Sequence, residues 1–222
     1  TRLCFPVLDN QRMPAPKPEP AAPPPARPRL TLVLGILFFC SGAVALVYEM
    51  LWMRRLALVF GSAPPAGAAT LAAYFAGLGC GAYCLGRLGT RGWKPLRCYA
   101  ALEVLIAIGV VAVNPILDLS TRLFPLLYAR FSDAPAAFLV VKVVFAFVAL
   151  FVPTFCMGGT LPVLGAALDA DQRHLGRTAG LLYALNTLGA GVGTLAAPFV
   201  LLPGIGGTAA LWLCVATNLA LS

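Results

Sequence analysis

The chain has 222 residues, of which 60% are hydrophobic and 11% are charged, and this composition excludes a water-soluble domain. Soluble domains average about 45–50% apolar and about 25% charged residues, so this chain could not cover its surface with polar groups. Disorder along the whole chain is also excluded, because it needs low hydrophobicity. The net charge of +8 comes from basic residues placed between apolar runs, which indicates membrane topology and no nucleic-acid partner.

The chain divides into a proline-rich tail and an all-α membrane domain. Residues 1–29 are predicted to form a disordered cytoplasmic tail, because dense proline favours extended, solvated backbone. Residues 30–222 are predicted to form a polytopic transmembrane domain of about six helices, since each span needs about 20 apolar residues. The predicted spans are 30–51, 66–88, 98–117, 136–168, 178 to about 202, and a last one that begins at Thr208.

Two features of the termini lead to further expectations. The sixth apolar segment has only 15 residues after the 202–207 turn, so we expect it to be truncated and the natural chain to continue past Ser222. Arg27 and Arg29 before the first apolar run, with small residues at 43–45, also fit a signal peptide, but four more apolar segments follow, so we interpret the run as an anchored first span.

Basic residues in the short loops predict the orientation in the bilayer. The tail and the second and fourth loops carry more Lys and Arg than the opposite side, including Arg87, Arg91, Arg173 and Arg177. The positive-inside rule therefore predicts a multi-pass protein of the cell (inner) membrane with its N-terminus in the cytoplasm.

The cysteines and the single histidine do not suggest a metal site or a cofactor in this chain. A zinc site wants about four N or S ligands, and only Cys80 and Cys84 share a helix face. The seven cysteines lie mostly inside apolar segments, where cysteine behaves as a small lipophilic side chain.

Glycine-rich stretches occur twice, at 77–81 and 189–193. Both resemble dinucleotide-binding loops, but such a loop follows a strand and opens a helix, and both stretches lie inside apolar segments. Small residues spaced by four let helices approach closely, so Gly77, Gly81, Gly189 and Gly193 are predicted to be helix-packing positions.

Ionisable groups at membrane depth are costly unless they are paired or hydrated. The partner of Glu49 is predicted to be a group on another helix or water. For Lys142 there are two alternatives: an ion pair with Glu49, or a side chain that extends to the membrane interface. Glu103 is predicted to form a structural ion pair with Arg87, with Arg91 as the alternative partner.

Tyr48 and Trp52 lie four residues apart beside Glu49, an arrangement that could hold an organic cation or could anchor the helix at the interface. Asn186 is predicted to bond a neighbouring helix. The candidate intramembrane polar or ligand site therefore consists of Tyr48, Glu49, Trp52, Lys142, Thr160 and Asn186, and no residue is assigned a catalytic role.

Three blocks occur in order along the chain. The first runs from Ser41-Gly42-Ala43 to Tyr48-Glu49, Trp52 and Arg54, and the second is Pro153-Thr154-Phe155-Cys156-Met157-Gly158-Gly159-Thr160-Leu161-Pro162. The third is Leu182-Tyr183-Ala184-Leu185-Asn186-Thr187-Leu188-Gly189-Ala190. Together they resemble the membrane region of fused major facilitator/spermidine synthase-like proteins, and 82–91 resembles the second cytoplasmic loop of major facilitator transporters with Ala82 and Gly86 as departures.

The resemblance implies half of a major facilitator fold, joined in cis or in trans to a soluble aminopropyltransferase-like domain that this chain lacks. The chain would then anchor that domain or handle its substrate, as a module in polyamine biosynthesis. The alternative is an organic-cation transporter or a half-transporter that forms a homodimer. A purely structural assembly partner is the third hypothesis.

Overall fold

The computed structural model describes residues 28–61, 63–88, 94–131, 133–168 and 175–222. Every secondary-structure element in these ranges is a helix: α1 Pro28–Phe60, α2 Ala63–Leu88, α3 Pro95–Arg130, α4 Pro135–Leu168, α5 Leu175–Ala196, a π-helical turn Ala197–Leu201, and α6 Leu202–Leu221. The predicted tail through residue 27, the loop residue Arg91 and the loop residue Arg173 lie outside the described residues, as does the side chain of Arg177.

Five helical segments of the described chain are long and apolar enough to cross a membrane. Six spans were predicted, and the difference lies in the last segment, where Gly180–Leu221 forms one run. The 202–207 stretch was predicted to be a turn, and the structure has a kink there that separates two helical pieces of α6, just after the π-helical turn Ala197–Leu201. Within α6 the backbone leaves helical geometry at Gly206, where φ is 78° and ψ is 167°. Only glycine adopts that conformation readily.

Two helices extend well beyond their predicted ends. The third span was predicted to end at residue 117 near Pro115, but α3 continues to Arg130 with Pro115 and Pro125 inside it. In a bundle, neighbouring helices and side chains can satisfy the carbonyl groups that a proline frees, so proline is a weaker stop signal here than in a soluble helix. Likewise, α1 continues to Phe60 instead of ending at residue 51.

Glycines set the closest helix crossings. A Cβ at Gly77 or Gly81 of α2 would meet Thr154 or the Phe155 backbone of α4. A Cβ at Gly189 or Gly193 of α5 would meet the backbone carbonyls of Phe39 and Ala43, respectively, on α1. The four predicted packing glycines therefore lie where two backbones touch, which is the geometry that small residues permit.

The contacts also give the helix directions. Along the α1–α5 crossing, residues 35 and 43 of α1 face residues 185 and 193 of α5, so the two helices run in parallel. The α1–α3 pair is also parallel, because Ser41 bonds Glu103 while Arg55 bonds Asn114 further along. In contrast, α6 runs antiparallel to α3: Gly207 lies by Asn114 and Asn218 lies by Glu103.

Backbone contact at Gly81 predicts the effect of two matched substitutions in α2. Gly81→Ala adds a methyl group against the Phe155 carbonyl, and such overpacking costs about 1–3 kcal/mol. At Gly79 nothing lies within 4 Å of the added Cβ, so Gly79→Ala gains about 1 kcal/mol of helix propensity. Thermal unfolding in detergent micelles is expected to show a lower Tm for Gly81→Ala and an unchanged or higher Tm for Gly79→Ala. Equal Tm values would contradict the crossing geometry.

Candidate ligand-binding site

A buried carboxylate lies at the junction of α1, α3 and α6. Glu103 on α3 is 0% exposed. The Ser41 hydroxyl of α1 donates a hydrogen bond to its Oε1 at 2.9 Å, and the Asn218 amide of α6 donates one to its Oε2 at 2.9 Å. Among the residues that the structure describes, no basic side chain forms an ion pair with it. Its partners are therefore two neutral donors, in a region where an unpaired charge would be costly.

One face of each helix builds this junction. On α1, residues Ser41, Tyr48, Trp52 and Arg55 are spaced by seven, four and three positions, which places them on one side of the helix. The rings of Tyr48 and Trp52 stack with centroids 5.9 Å apart. Tyr48 has Glu103 and Cys214 as electrostatic neighbours, so the stacked rings lie near the carboxylate. We call this interface of α1, α3 and α6 the polar interface.

The polar interface contains buried groups that lack hydrogen-bond partners. In the described ranges, four buried side-chain atoms have no partner: Tyr48 Oη, Trp52 Nε1, Tyr99 Oη and Asn218 Oδ1. All four residues line this one interface, and Tyr99 lies beside Glu103. Leaving such a group unpaired costs about 1–3 kcal/mol, so their concentration in one place indicates bound water or a ligand.

A cavity of about 670 Å³ opens beside Trp52, towards the end of the bundle where α1 ends. Its walls come from the same three helices, and its size falls in the range of small-molecule sites, which is about 300–1,000 Å³. Arg55 crosses it, bonding Asn114 at 2.7 Å and Asp118 at 3.1 Å. On the α6 side, the lining includes Gly206, Gly207, Leu211 and Trp212.

The structure separates Glu49 and Lys142, which the sequence placed in one candidate site. Glu49 is 3% exposed, and it has Tyr74 of α2 as an electrostatic neighbour. Lys142 donates to the Phe60 carbonyl at 3.3 Å, with its ammonium 4.6 Å from the Phe138 ring centroid. Phe60 is 11 residues beyond Glu49, about 16 Å along a straight helix, so the two charges do not form the ion pair that was one alternative. Lys142 instead stabilises the carboxyl end of α1, where a cation is favoured.

The predicted pair of Glu103 with Arg87 is also not formed. The Arg87 guanidinium lies 4.5 Å from the Tyr83 ring centroid on the exposed side of α2, whereas Glu103 faces α1 and α6. The sequence prediction was wrong because it paired charges close in the chain, while the actual donors are 62 and 115 positions away.

Thr160 and Asn186 lie outside the polar interface. The Thr160 hydroxyl donates to the Met157 carbonyl of its own helix at 2.7 Å. Asn186 lies at the crossing of α5 with α1, where its backbone and side chain contact Gly42. Thr160 therefore bonds within its own helix and Asn186 serves helix packing, and of the predicted polar site only Tyr48 and Trp52 meet in the interface that also holds Glu103.

Sequence reasoning missed Ser41, Tyr99, Cys214 and Asn218. Tyr99 and Glu103 are four residues apart on α3, so helical periodicity could have placed them on one face. Asn218 is an amide in a mostly apolar helix, so its polarity could have marked it as facing inward.

The described residues contain no group of three His, Cys, Asp or Glu side chains that could hold a metal ion.

Comparisons with family models, with curated proteins and with solved structures gave no match. The resemblance to spermidine synthase-like membrane regions consequently depends on the three sequence blocks alone.

Removal of one Glu103 donor and removal of one unpartnered hydroxyl are expected to have different effects on stability. Asn218→Leu leaves the buried Oε2 without its donor and costs about 1–3 kcal/mol. Tyr48→Phe removes a hydroxyl that has no partner among the described residues, so stability should stay the same or rise slightly. Unfolding of the purified protein by a denaturing detergent measures both. A Tyr48→Phe loss as large as that of Asn218→Leu would mean that the hydroxyl is bonded in the resting protein.

Proposed function

We propose that the chain is a six-span membrane module of the half-major-facilitator type that handles a small organic cation. Two passes in Gly180–Leu221 are supported by the contacts: α5 runs parallel to α1, α6 runs antiparallel to α3, and Gly206 supplies the backbone reversal between them. A single straight helix of 42 residues would be about 63 Å long, twice the hydrocarbon thickness of a bilayer.

The observation that carries the handling role is the polar interface. A module that only anchored a partner would be most stable with apolar contacts between its helices, because each unpartnered buried group costs free energy. Here a buried carboxylate and four unpartnered polar atoms lie beside a cavity of small-molecule size. Intramembrane polar groups retained at such a cost are typical of substrate sites.

The three sequence blocks give the proposal its substrate and its partner. Their resemblance to spermidine synthase-like membrane regions suggests a polyamine and a soluble aminopropyltransferase-like domain, joined in cis or supplied in trans. In that arrangement the membrane module binds or delivers the amine, and the soluble domain performs the chemistry. The basic loops support a cytoplasmic N-terminus in the cell membrane.

Polyamine binding is expected to stabilise the purified chain. At a spermidine concentration of about one hundred times Kd, ligand linkage contributes about 2.7 kcal/mol, which corresponds to a Tm increase of about 5–10 °C for a chain of this size. The measurement is thermal unfolding in nanodiscs with increasing spermidine. An uncharged diol of similar length serves as the control and should leave Tm unchanged. No shift with spermidine would contradict the handling role and favour an anchor.

The cavity supports a second candidate function, which is transport. It opens at the end where α1 ends and lies next to the polar interface, so an amine could enter from that side. Proteoliposomes that contain the chain should then accumulate labelled spermidine, and Glu103→Gln should abolish the uptake. Spermidine binding without uptake would assign the chain to the substrate-handling role and remove the transporter.

A further inference from the structure

We infer that the polar interface is a binding site for a primary or secondary ammonium group, with the Glu103 carboxylate as its counter-ion and with Tyr48, Tyr99 and Asn218 as hydrogen-bonding partners. The inference rests on the proposed function and deepens it, because it names the atoms that recognise the substrate and the chemical class that they select.

The charge of the ligand follows from Glu103. Its two oxygens each accept one hydrogen bond from a neutral donor, and each carboxylate oxygen can accept two. The described residues provide no cation for it. A bound ammonium would neutralise the charge and occupy the remaining lone pairs.

The need for N–H groups follows from Asn218. Its Nδ2 already donates to Glu103, while its Oδ1, which can only accept, has no partner in the described part of the chain. A ligand that satisfies Oδ1 must donate a hydrogen bond. An ammonium with two or three N–H groups can donate to Glu103 and to Asn218 Oδ1 together, whereas a quaternary ammonium can donate to neither.

The phenol groups complete the site. The Tyr48 and Tyr99 hydroxyls can each accept from or donate to a ligand, and both are buried without partners. Tyr99 lies beside the carboxylate, and Tyr48 has Glu103 as an electrostatic neighbour and stacks on Trp52. The stacked rings present a π-face to a cation that moves from the cavity towards Glu103.

Trp52 Nε1 adds a restriction on the other end of the ligand. The indole nitrogen only donates, so an ammonium nitrogen, which has no lone pair, cannot satisfy it. The preferred ligand therefore has an ammonium at Glu103 and a neutral acceptor towards Trp52, such as an unprotonated amine, an ether or a hydroxyl oxygen, or a water molecule carried with it.

Isothermal titration of the chain in nanodiscs tests the site with two probes, spermidine and its permethylated quaternary analogue. Spermidine is expected to bind. The quaternary analogue is expected to bind at least about tenfold more weakly, because it keeps the charge but lacks every N–H. Equal binding of the two probes would overturn the hydrogen-bonding assignment.

Matched variants locate the site. Glu103→Gln keeps the side-chain shape and should weaken spermidine binding by about 30-fold or more, whereas Tyr48→Phe should weaken it by about threefold to tenfold. Glu49→Gln removes a buried carboxylate outside the polar interface, next to Tyr74, and should leave binding unchanged. The Tm of each variant without ligand shows that it is folded, and Tyr48→Phe, which keeps all bonds to Glu103, remains informative if Glu103→Gln does not fold.

The outcomes separate this site from the function itself. Suppose that wild-type protein binds spermidine and that either folded variant, Glu103→Gln or Tyr48→Phe, binds it equally well. The site assignment is then wrong and the handling role stands. If wild-type protein binds neither probe, the site and the handling role both fail, and Glu103 is then neutralised by a proton alone.

Discussion

The cost of polar groups at membrane depth determines how this bundle is organised. Helices satisfy their own backbone groups, so apolar side chains can face outward without penalty. The serine and threonine hydroxyls mostly bond carbonyls of their own helices, as Thr70 and Thr154 do. The main exception is the polar interface, where Glu103 depends on donors from two other helices. The three helices there are consequently held by hydrogen bonds as well as by packing.

Helix pairs outside the polar interface pack through close backbone contacts. The α1–α5 and α2–α4 pairs are parallel and touch through glycines, as at Gly193 with Ala43 and at Gly158 with Leu78. Since α5 occupies one side of α1 through these contacts, the side that carries Tyr48 and Trp52 is free to face α3 and α6. The same contacts give a physical meaning to two of the sequence blocks, because the third block packs directly on the first.

The second block serves packing in the same way. Thr154 lies against Gly77, and Gly159 lies against Leu85 of α2. Its two prolines approach glycines of neighbouring helices, Pro153 at Gly109 and Pro162 at Gly86. The second block therefore specifies how helices approach one another, and Glu103 and the unpartnered polar groups of the polar interface lie outside it.

Sequence reasoning predicted the helical class and the approximate places of the first four helices from hydropathy, and the packing glycines from their spacing, because each depends on the local sequence. It could not predict the end of α3, since tertiary contacts decide whether a helix continues past Pro115. It also could not pair Glu103 with Asn218, because that bond joins residues 115 positions apart and depends on how α6 turns back at Gly206. The predicted pairing of Arg87 with Glu103 was based on charge alone, and in the fold the Arg87 guanidinium lies over the Tyr83 ring on the exposed side of α2.

The position of α6 connects the cavity to the carboxylate. Gly207 and Leu211 form part of the cavity wall, and Asn218 on the same helix donates to Glu103. An ammonium that binds Glu103 and Asn218 Oδ1 also acts on the helix that lines its entrance. Gly206, at the beginning of that wall, has the one backbone conformation in α6 that is not helical, so the chain can change direction there at the least cost. If an ammonium occupies the proposed site, Asn218 would couple its binding to the position of α6.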